Sequence, residues 1–136
     1  MARKPEAYVD TSALIALADR SDSFHSLFVR LFAKPPRLMT TGLVIAEGHA
    51  WFLRRYDRHK AMQFMAMIEG MAPLTVDAIG PAEIGAATAW MRKFREQDLT
   101  LADAAGLHCM AKHKLRQCWS TDFHLALGGV RLVINS

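Results

Sequence analysis

Asp10, Glu47, Asp103 and Asp122 lie far apart in the chain, yet each falls where a short apolar strand meets a helical pattern. Asp10 is the clearest case: Ala7-Tyr8-Val9 reads as a buried strand running into the acid, and Thr11 to Leu17 reads as the start of a helix. Open parallel sheets bind ligands beyond the carboxyl ends of their strands, so packing is a poor explanation for an acid there. If the four acids converge, two carboxylates about 5 Å apart repel by roughly 3 kcal/mol at an effective dielectric near 20. Protonation or splaying relieves part of that repulsion, but several such pairs call for a cation, and an all-oxygen donor set suits Mg2+ or Mn2+. An ion held this way supports phosphodiester hydrolysis by an activated water and needs no serine or cysteine nucleophile. Hydroxyls at Thr11, Ser12, Ser120 and Thr121 flank two of the acids and suit a water or phosphate oxygen, although helix capping explains Thr11 or Ser12 equally well.

The elements that must position these acids alternate. Strand candidates at Ala7–Asp10, Arg37–Thr40, Leu74–Val76, Gln117–Ser120 and Val130–Ile134 are separated by helix-period segments. That alternation predicts an α/β domain with a mainly parallel central sheet of about five strands flanked by helices. Ser23 is placed to cap a helix reaching Lys34, which Pro35-Pro36 stops, because proline lacks the N–H donor and bars helical geometry at its predecessor. Thr41 is placed to cap a long helix, Asp57 or Arg58 opens another that reaches Glu69, and Pro81 starts a third that reaches Phe94. Thr100 opens the last one with Asp103 three residues on, the spacing of a capping box, so Asp103 has a capping explanation beside the chemical one. Met62, Phe64, Met65, Met67, Ile68 and Met71 make a methionine-rich apolar surface, for which core packing is the default reading.

The chain has 136 residues, 51% of them hydrophobic, enough for one good core and short for two, so residues 1–136 are read as one domain. Its basic start, Met1 to Glu6, is followed by no apolar run long enough to cross a membrane, which predicts a cytoplasmic protein. The net charge is +4, and setting the four acids aside in a pocket leaves a more basic remainder that favours polyanions. Taken singly, Arg54-Arg55, Arg58-His59-Lys60, Arg92-Lys93 with Arg95, and Lys112, Lys114 and Arg116 also read as solvated helix ends. Cys109 and Cys118 match neither a CxxC nor a zinc-ligand spacing and read as reduced, buried thiols. His108 and His113 are five apart, which suits no helical zinc pair, and His49 faces away from Glu47.

Four motifs in order, Val9-Asp10-Thr11-Ser12-Ala13-Leu14, Thr41 to Glu47, Leu99-Thr100-Leu101-Ala102-Asp103-Ala104 and Ser120-Thr121-Asp122-Phe123, resemble the PIN-domain nucleases along essentially the whole chain. The size matches the compact PIN domains that serve as toxins in VapBC-type toxin–antitoxin pairs. The resemblance implies a parallel sheet, an acidic pocket for Mg2+ or Mn2+, and endonucleolytic cleavage of RNA. It also implies a cognate antitoxin that fills the groove. Carried over by motif, Asp10 is the principal metal ligand and Glu47, Asp103 and Asp122 the other acids of the pocket, with Ser12 and Ser120 as supporting hydroxyls. Ser120 stands where the pattern usually has Thr, which keeps a hydroxyl. Asp98 matches a further acid and is expected at the pocket rim, unless it is an exposed loop residue. His124 has two readings as well, a phosphate contact or a surface histidine. Helical Phe24, Phe28, Leu31 and Phe32, with the methionine surface, leave room for an antitoxin or for the homodimer expected here.

Three alternatives differ in function. A PIN nuclease acting in RNA processing or DNA cleavage needs no antitoxin, and a catalytically idle PIN-like module only binds. A phospho-acceptor regulatory domain needs a tight acidic pair and a late lysine, neither of which Val9-Asp10-Thr11 and Trp119-Ser120-Thr121-Asp122 supply.

Overall fold

The computed structural model describes residues 4–135. The first three residues of the basic start, and the last residue of the span read as one domain, lie outside them. Five strands, β1 (Ala7–Val9), β2 (Leu38–Thr41), β3 (Leu74–Asp77), β4 (Gln117–Trp119) and β5 (Arg131–Leu132), form a single sheet in the order β3-β2-β1-β4-β5. Every pairing is parallel, with Tyr8 opposite Met39 on one side and Cys118 on the other. The expected α/β architecture is therefore present, and its sheet is parallel throughout. Parallel strands covered on both faces read as apolar runs, and β1, fully buried at the centre, is Ala-Tyr-Val. Chain order reverses at β1, between β2 and β4, which makes the carboxyl ends of β1 and β4 a topological switch point.

Six helices connect the strands: α1 (Thr11–Ala18), α2 (His25–Ala33), α3 (Gly42–Arg55), α4 (Arg58–Glu69), α5 (Pro81–Lys93) and α6 (Leu101–His113). Several boundaries differ from expectation for local reasons. Ser23 does not cap α2: the chain turns earlier, where Asp22 Oδ1 accepts the Phe24 N–H at 2.8 Å, and the helix begins at His25. Asp57 does cap α4, accepting the Lys60 N–H at 2.9 Å. The last strand is only Arg131–Leu132, because the chain tightens into a 3-10 turn over Val133–Asn135.

Helix α6 is the buried one. Residues 102–107 are all buried, including Asp103, so its first half is enclosed on every side, as befits a core helix with no solvent stripe. Its position gives the sheet a rigid backing directly beneath the switch point. Phe28 belongs to the core, and Phe24, Leu31 and Phe32 pack against it, Phe32 edge-on to Trp119 with ring centroids 4.9 Å apart. These residues hold α2 to the sheet, and Phe24, Leu31 and Phe32 stay only partly buried as they do so. The methionine-rich helix divides: Phe64 and Ile68 are buried, whereas Met62 is exposed.

Helix α3, which carries Glu47, is fixed to α4 by a close approach at Gly48. A Cβ at Gly48 would run into the Phe64 ring, itself stacked on Phe52 at 5.2 Å. Overpacking of this kind costs about 1–3 kcal/mol, against roughly 1 kcal/mol gained by alanine's better helix propensity. Gly48→Ala is therefore expected to lower the midpoint of urea unfolding. A variant more stable than the native chain would show that the Phe64 ring gives way to a methyl at Gly48 without cost.

Candidate active site

Asp10 leaves β1 as the residue before α1 and is 5% exposed. Its Oδ2 accepts the Ser120 hydroxyl from the end of β4 at 2.8 Å and the Ser12 hydroxyl from the first turn of α1 at 3.0 Å. Each serine spends its one proton on the carboxylate, so the 3.1 Å between the two hydroxyl oxygens is a consequence of that shared acceptor. The serine oxygens accept in turn, Ser12 from the Thr121 N–H at 3.0 Å and Ser120 from the Asp122 N–H at 2.9 Å. One carboxylate thus organises the loop that presents the second acid.

The other three acids are held by separate devices. Asp103 makes the capping box with Thr100: its Oδ2 accepts the Thr100 N–H, and the Thr100 hydroxyl accepts the Asp103 N–H, both at 3.1 Å. The predicted cap is real, and it locks the carboxylate at the start of α6. Asp122 accepts the His124 N–H at 3.0 Å and so starts a 3-10 turn over Phe123–Ala126. Glu47, exposed on α3, accepts the Thr11 hydroxyl at 2.7 Å, an attachment that brings it to the end of β1.

All four predicted acids and Ser12 line one cleft of about 230 Å³, together with Thr11, Ile15, Trp51 and Arg54. Ser120 is fully buried behind Asp10. Asp98 is exposed in the α5–α6 connection and does not line the cleft. Larger hollows exist, an apolar one of about 560 Å³ and a basic one of about 830 Å³, but the gathered carboxylates single out this smaller one. His124 also faces the acids, its Nδ1 lying 3.4 Å from Asp122 Oδ1 and 3.8 Å from Asp103 Oδ2. The side chains that motif reading overlooked are Arg54 and Trp51. They stand seven and four residues beyond Glu47, so helical periodicity places them on its face of α3.

Electrostatically the cleft is out of balance. Burial pushes Asp10 up from 3.8 to about 6, against the opposing pull of its serine hydroxyls and the Thr11 N–H, and Asp103 adds to the rise. Asp103 is raised too, chiefly by burial and then by the neighbouring Asp122 charge, despite its cap. Arg54 is the one Lys or Arg among the residues lining the cleft. Four carboxylates facing one guanidinium, with oxygen donors at hand and a histidine at the rim, fit a hard divalent cation.

Comparisons with known proteins agree with this fold. The family model described as PIN domain matches residues 7–126. The 23S rRNA-specific endonuclease VapC20 of Mycobacterium tuberculosis is 28% identical over 124 residues, covering 90% of this chain and 93% of that protein. The crystal structure of M. tuberculosis VapC20, described as a sarcin-ricin loop cleaving toxin, superposes with a TM-score of 0.84 at 25% identity, over 92% of this chain and 96% of that one. A toxin–antitoxin complex from Klebsiella pneumoniae gives a TM-score of 0.64 at 19% identity over 91% of this chain and 92% of that one, a likeness of fold.

The displaced Asp10 titration has a sign that can be tested. Its folded pKa lies above the ordinary value, so its contribution favours folding fully below about pH 4 and is lost as pH rises through about 6. The displacement corresponds to about 3 kcal/mol against the ionised form. In EDTA at pH 7.5, Asp10→Asn is expected to unfold at higher denaturant than the native chain, with the gap closing toward pH 4. An Asp10→Asn protein less stable at pH 7.5, or a gap that pH leaves unchanged, would contradict the assignment.

Proposed function

The chain belongs to the PIN domain family, and from that premise we propose that it is a metal-dependent endoribonuclease that hydrolyses RNA phosphodiester bonds in the four-carboxylate cleft. The observation that carries this reading is the convergence of Asp10, Glu47, Asp103 and Asp122 on one small cleft at the switch point of the sheet. In this proposal the four acids hold the ion, Mg2+ or Mn2+, with Asp10 as its principal ligand. Such an ion would polarise the scissile phosphodiester and offset the negative charge that builds on its oxygens. Ser12 and Ser120 fix the Asp10 carboxylate so that it does not reorganise, and the Thr11 hydroxyl holds Glu47 over the cleft. Arg54 stands at the same wall as a cation for a phosphate oxygen. His124 orients Asp122 from the rim.

The net charge of +4 assists capture of a polyanion. Ribosomal RNA is the first substrate to test, because the relative is named a 23S rRNA-specific endonuclease. The proposal extends to a role as the toxin of a toxin–antitoxin pair, with a cognate antitoxin, a homodimeric state and a cytoplasmic site of action. Among the described residues no helix is long and apolar enough to cross a membrane.

With purified chain and structured ribosomal RNA, cleavage is expected in Mg2+ or Mn2+ and none in EDTA. Asp10→Asn should lower it by at least about a hundredfold. Thr11→Val, which frees Glu47, removes a hydrogen bond to a charged group worth about 1.5 kcal/mol and should lower kcat/KM about tenfold. Undiminished cleavage by Asp10→Asn would overturn the proposal. Undiminished cleavage by Thr11→Val would remove only the role given to Thr11.

A further inference from the structure

A second group of metal-ligating atoms lies where β3 meets α6, and it shares no residue with the acidic cleft. Asp77 is the last residue of β3, an edge strand with little cover. Facing it on α6 are Cys109 and His113, four residues apart and therefore on one side of the helix. Along α6, Cys109 lies about 9 Å and His113 about 15 Å from Asp103, at 1.5 Å per residue.

Asp77 Oδ2 is 3.2 Å from His113 Nε2 and 3.8 Å from Cys109 Sγ, and the three ligand atoms lie within 4.8 Å of one another. Tetrahedral zinc, with Zn–S about 2.3 Å and Zn–N and Zn–O about 2.0 Å, sets edges of about 3.3 Å between N and O and about 3.5 Å between S and O. The two separations to Asp77 Oδ2 lie within a few tenths of an ångström of those edges, and Cys109 Sγ and His113 Nε2 are no more than 4.8 Å apart. Cys109 is 1% exposed, whereas the Asp77 and His113 side chains are 21% and 30% exposed. The group therefore has a buried sulfur floor and an open mouth.

We propose that Asp77, Cys109 and His113 form a second metal site, which takes a borderline divalent ion of the Zn2+ class with water as the fourth ligand and clips β3 to α6. Mixed sulfur, nitrogen and oxygen donors select such an ion over Mg2+, which takes oxygen alone. Loading forms one bond to each of the three side chains and releases the Cys109 thiol proton to solvent. Without an ion, burial and the Asp77 charge push the Cys109 thiol up to about 12. A bound cation reverses that balance, because a coordinating thiol is deprotonated outright. Neither cysteine-to-cysteine nor histidine-to-histidine spacing reveals the group, since its helical pair is one of each and its third member lies on a strand 32 residues before Cys109.

The test is titration of the full, EDTA-stripped and desalted chain with Co2+, a spectroscopic stand-in for Zn2+. A thiolate-to-cobalt charge-transfer band reports this site alone, because the acidic cleft offers no sulfur. One equivalent of Co2+ is expected to raise the band, and Zn2+ to abolish it by displacement. Cys109→Ser should lose the band, His113→Ala and Asp77→Asn should weaken binding at least about tenfold, and Cys118→Ser should keep it. With excess Mg2+ present to occupy the acidic cleft, Zn2+ should also raise the Tm of the native chain more than that of His113→Ala, a substitution at a partly exposed position. Absence of the band in the native chain, its survival in Cys109→Ser, or native affinity in His113→Ala would each overturn the proposal. None of these readouts depends on RNA cleavage.

Discussion

The structure around the cleft is built on one unfavourable act, the burial of the Asp10 carboxylate at the centre of a parallel sheet. Asp10 is buried, and its pKa stands raised even with two serine hydroxyls on one oxygen. Those serines come from opposite sides of the switch point, one from α1 and one from the end of β4, so the device that tolerates the charge also joins the two connections. The loop after β4 then hangs from the same serines through the Thr121 and Asp122 amides. Removing the carboxylate relieves the fold of a charge and takes away the centre of the site.

Helix α6 serves both ends of this arrangement. Its first turn places Asp103 at the cleft through a capping box, so the cap and the chemical role proposed for this carboxylate fall on one residue. Its buried middle lies against the sheet, where Gly106 lets Tyr8 and Leu125 approach; a Cβ there would lie 2.9 Å from the Tyr8 hydroxyl and 3.0 Å from Leu125 Cδ1. Its last turns carry Cys109 and His113 to the edge strand. A helix enclosed over this length fixes the position of the acid, which a cation site requires, because ligand geometry has to be in place before the ion arrives.

Legibility followed the range of each interaction. The β1 strand, its terminal Asp10 and the Thr100–Asp103 box are local patterns, and the structure has them at the positions read. The sheet order is not local, so the switch point that brings Asp122 beside Asp10 appears only in the folded chain. Glu47 was nameable by motif, yet the bond that holds it, from Thr11 across 36 residues, was not. Arg54 adjoins Arg55 in the chain and so reads as one of a solvated pair, whereas helical spacing from Glu47 turns it to the cleft. Ser23 failed as a cap because Asp22, one residue earlier, binds the Phe24 N–H first. Asp98 follows a sequence pattern and still stands exposed outside the cleft, since a loop acid needs only solvent to be satisfied.

Whether the buried Asp10 carboxylate serves to hold a divalent cation is decided by melting the native chain and Asp10→Asn at pH 7.5, first in EDTA and then across a Mn2+ titration. A crossing is expected: Asp10→Asn melts higher without metal, and the native chain overtakes it as Mn2+ saturates its site. Parallel curves, with Mn2+ shifting both proteins equally or neither, would contradict it.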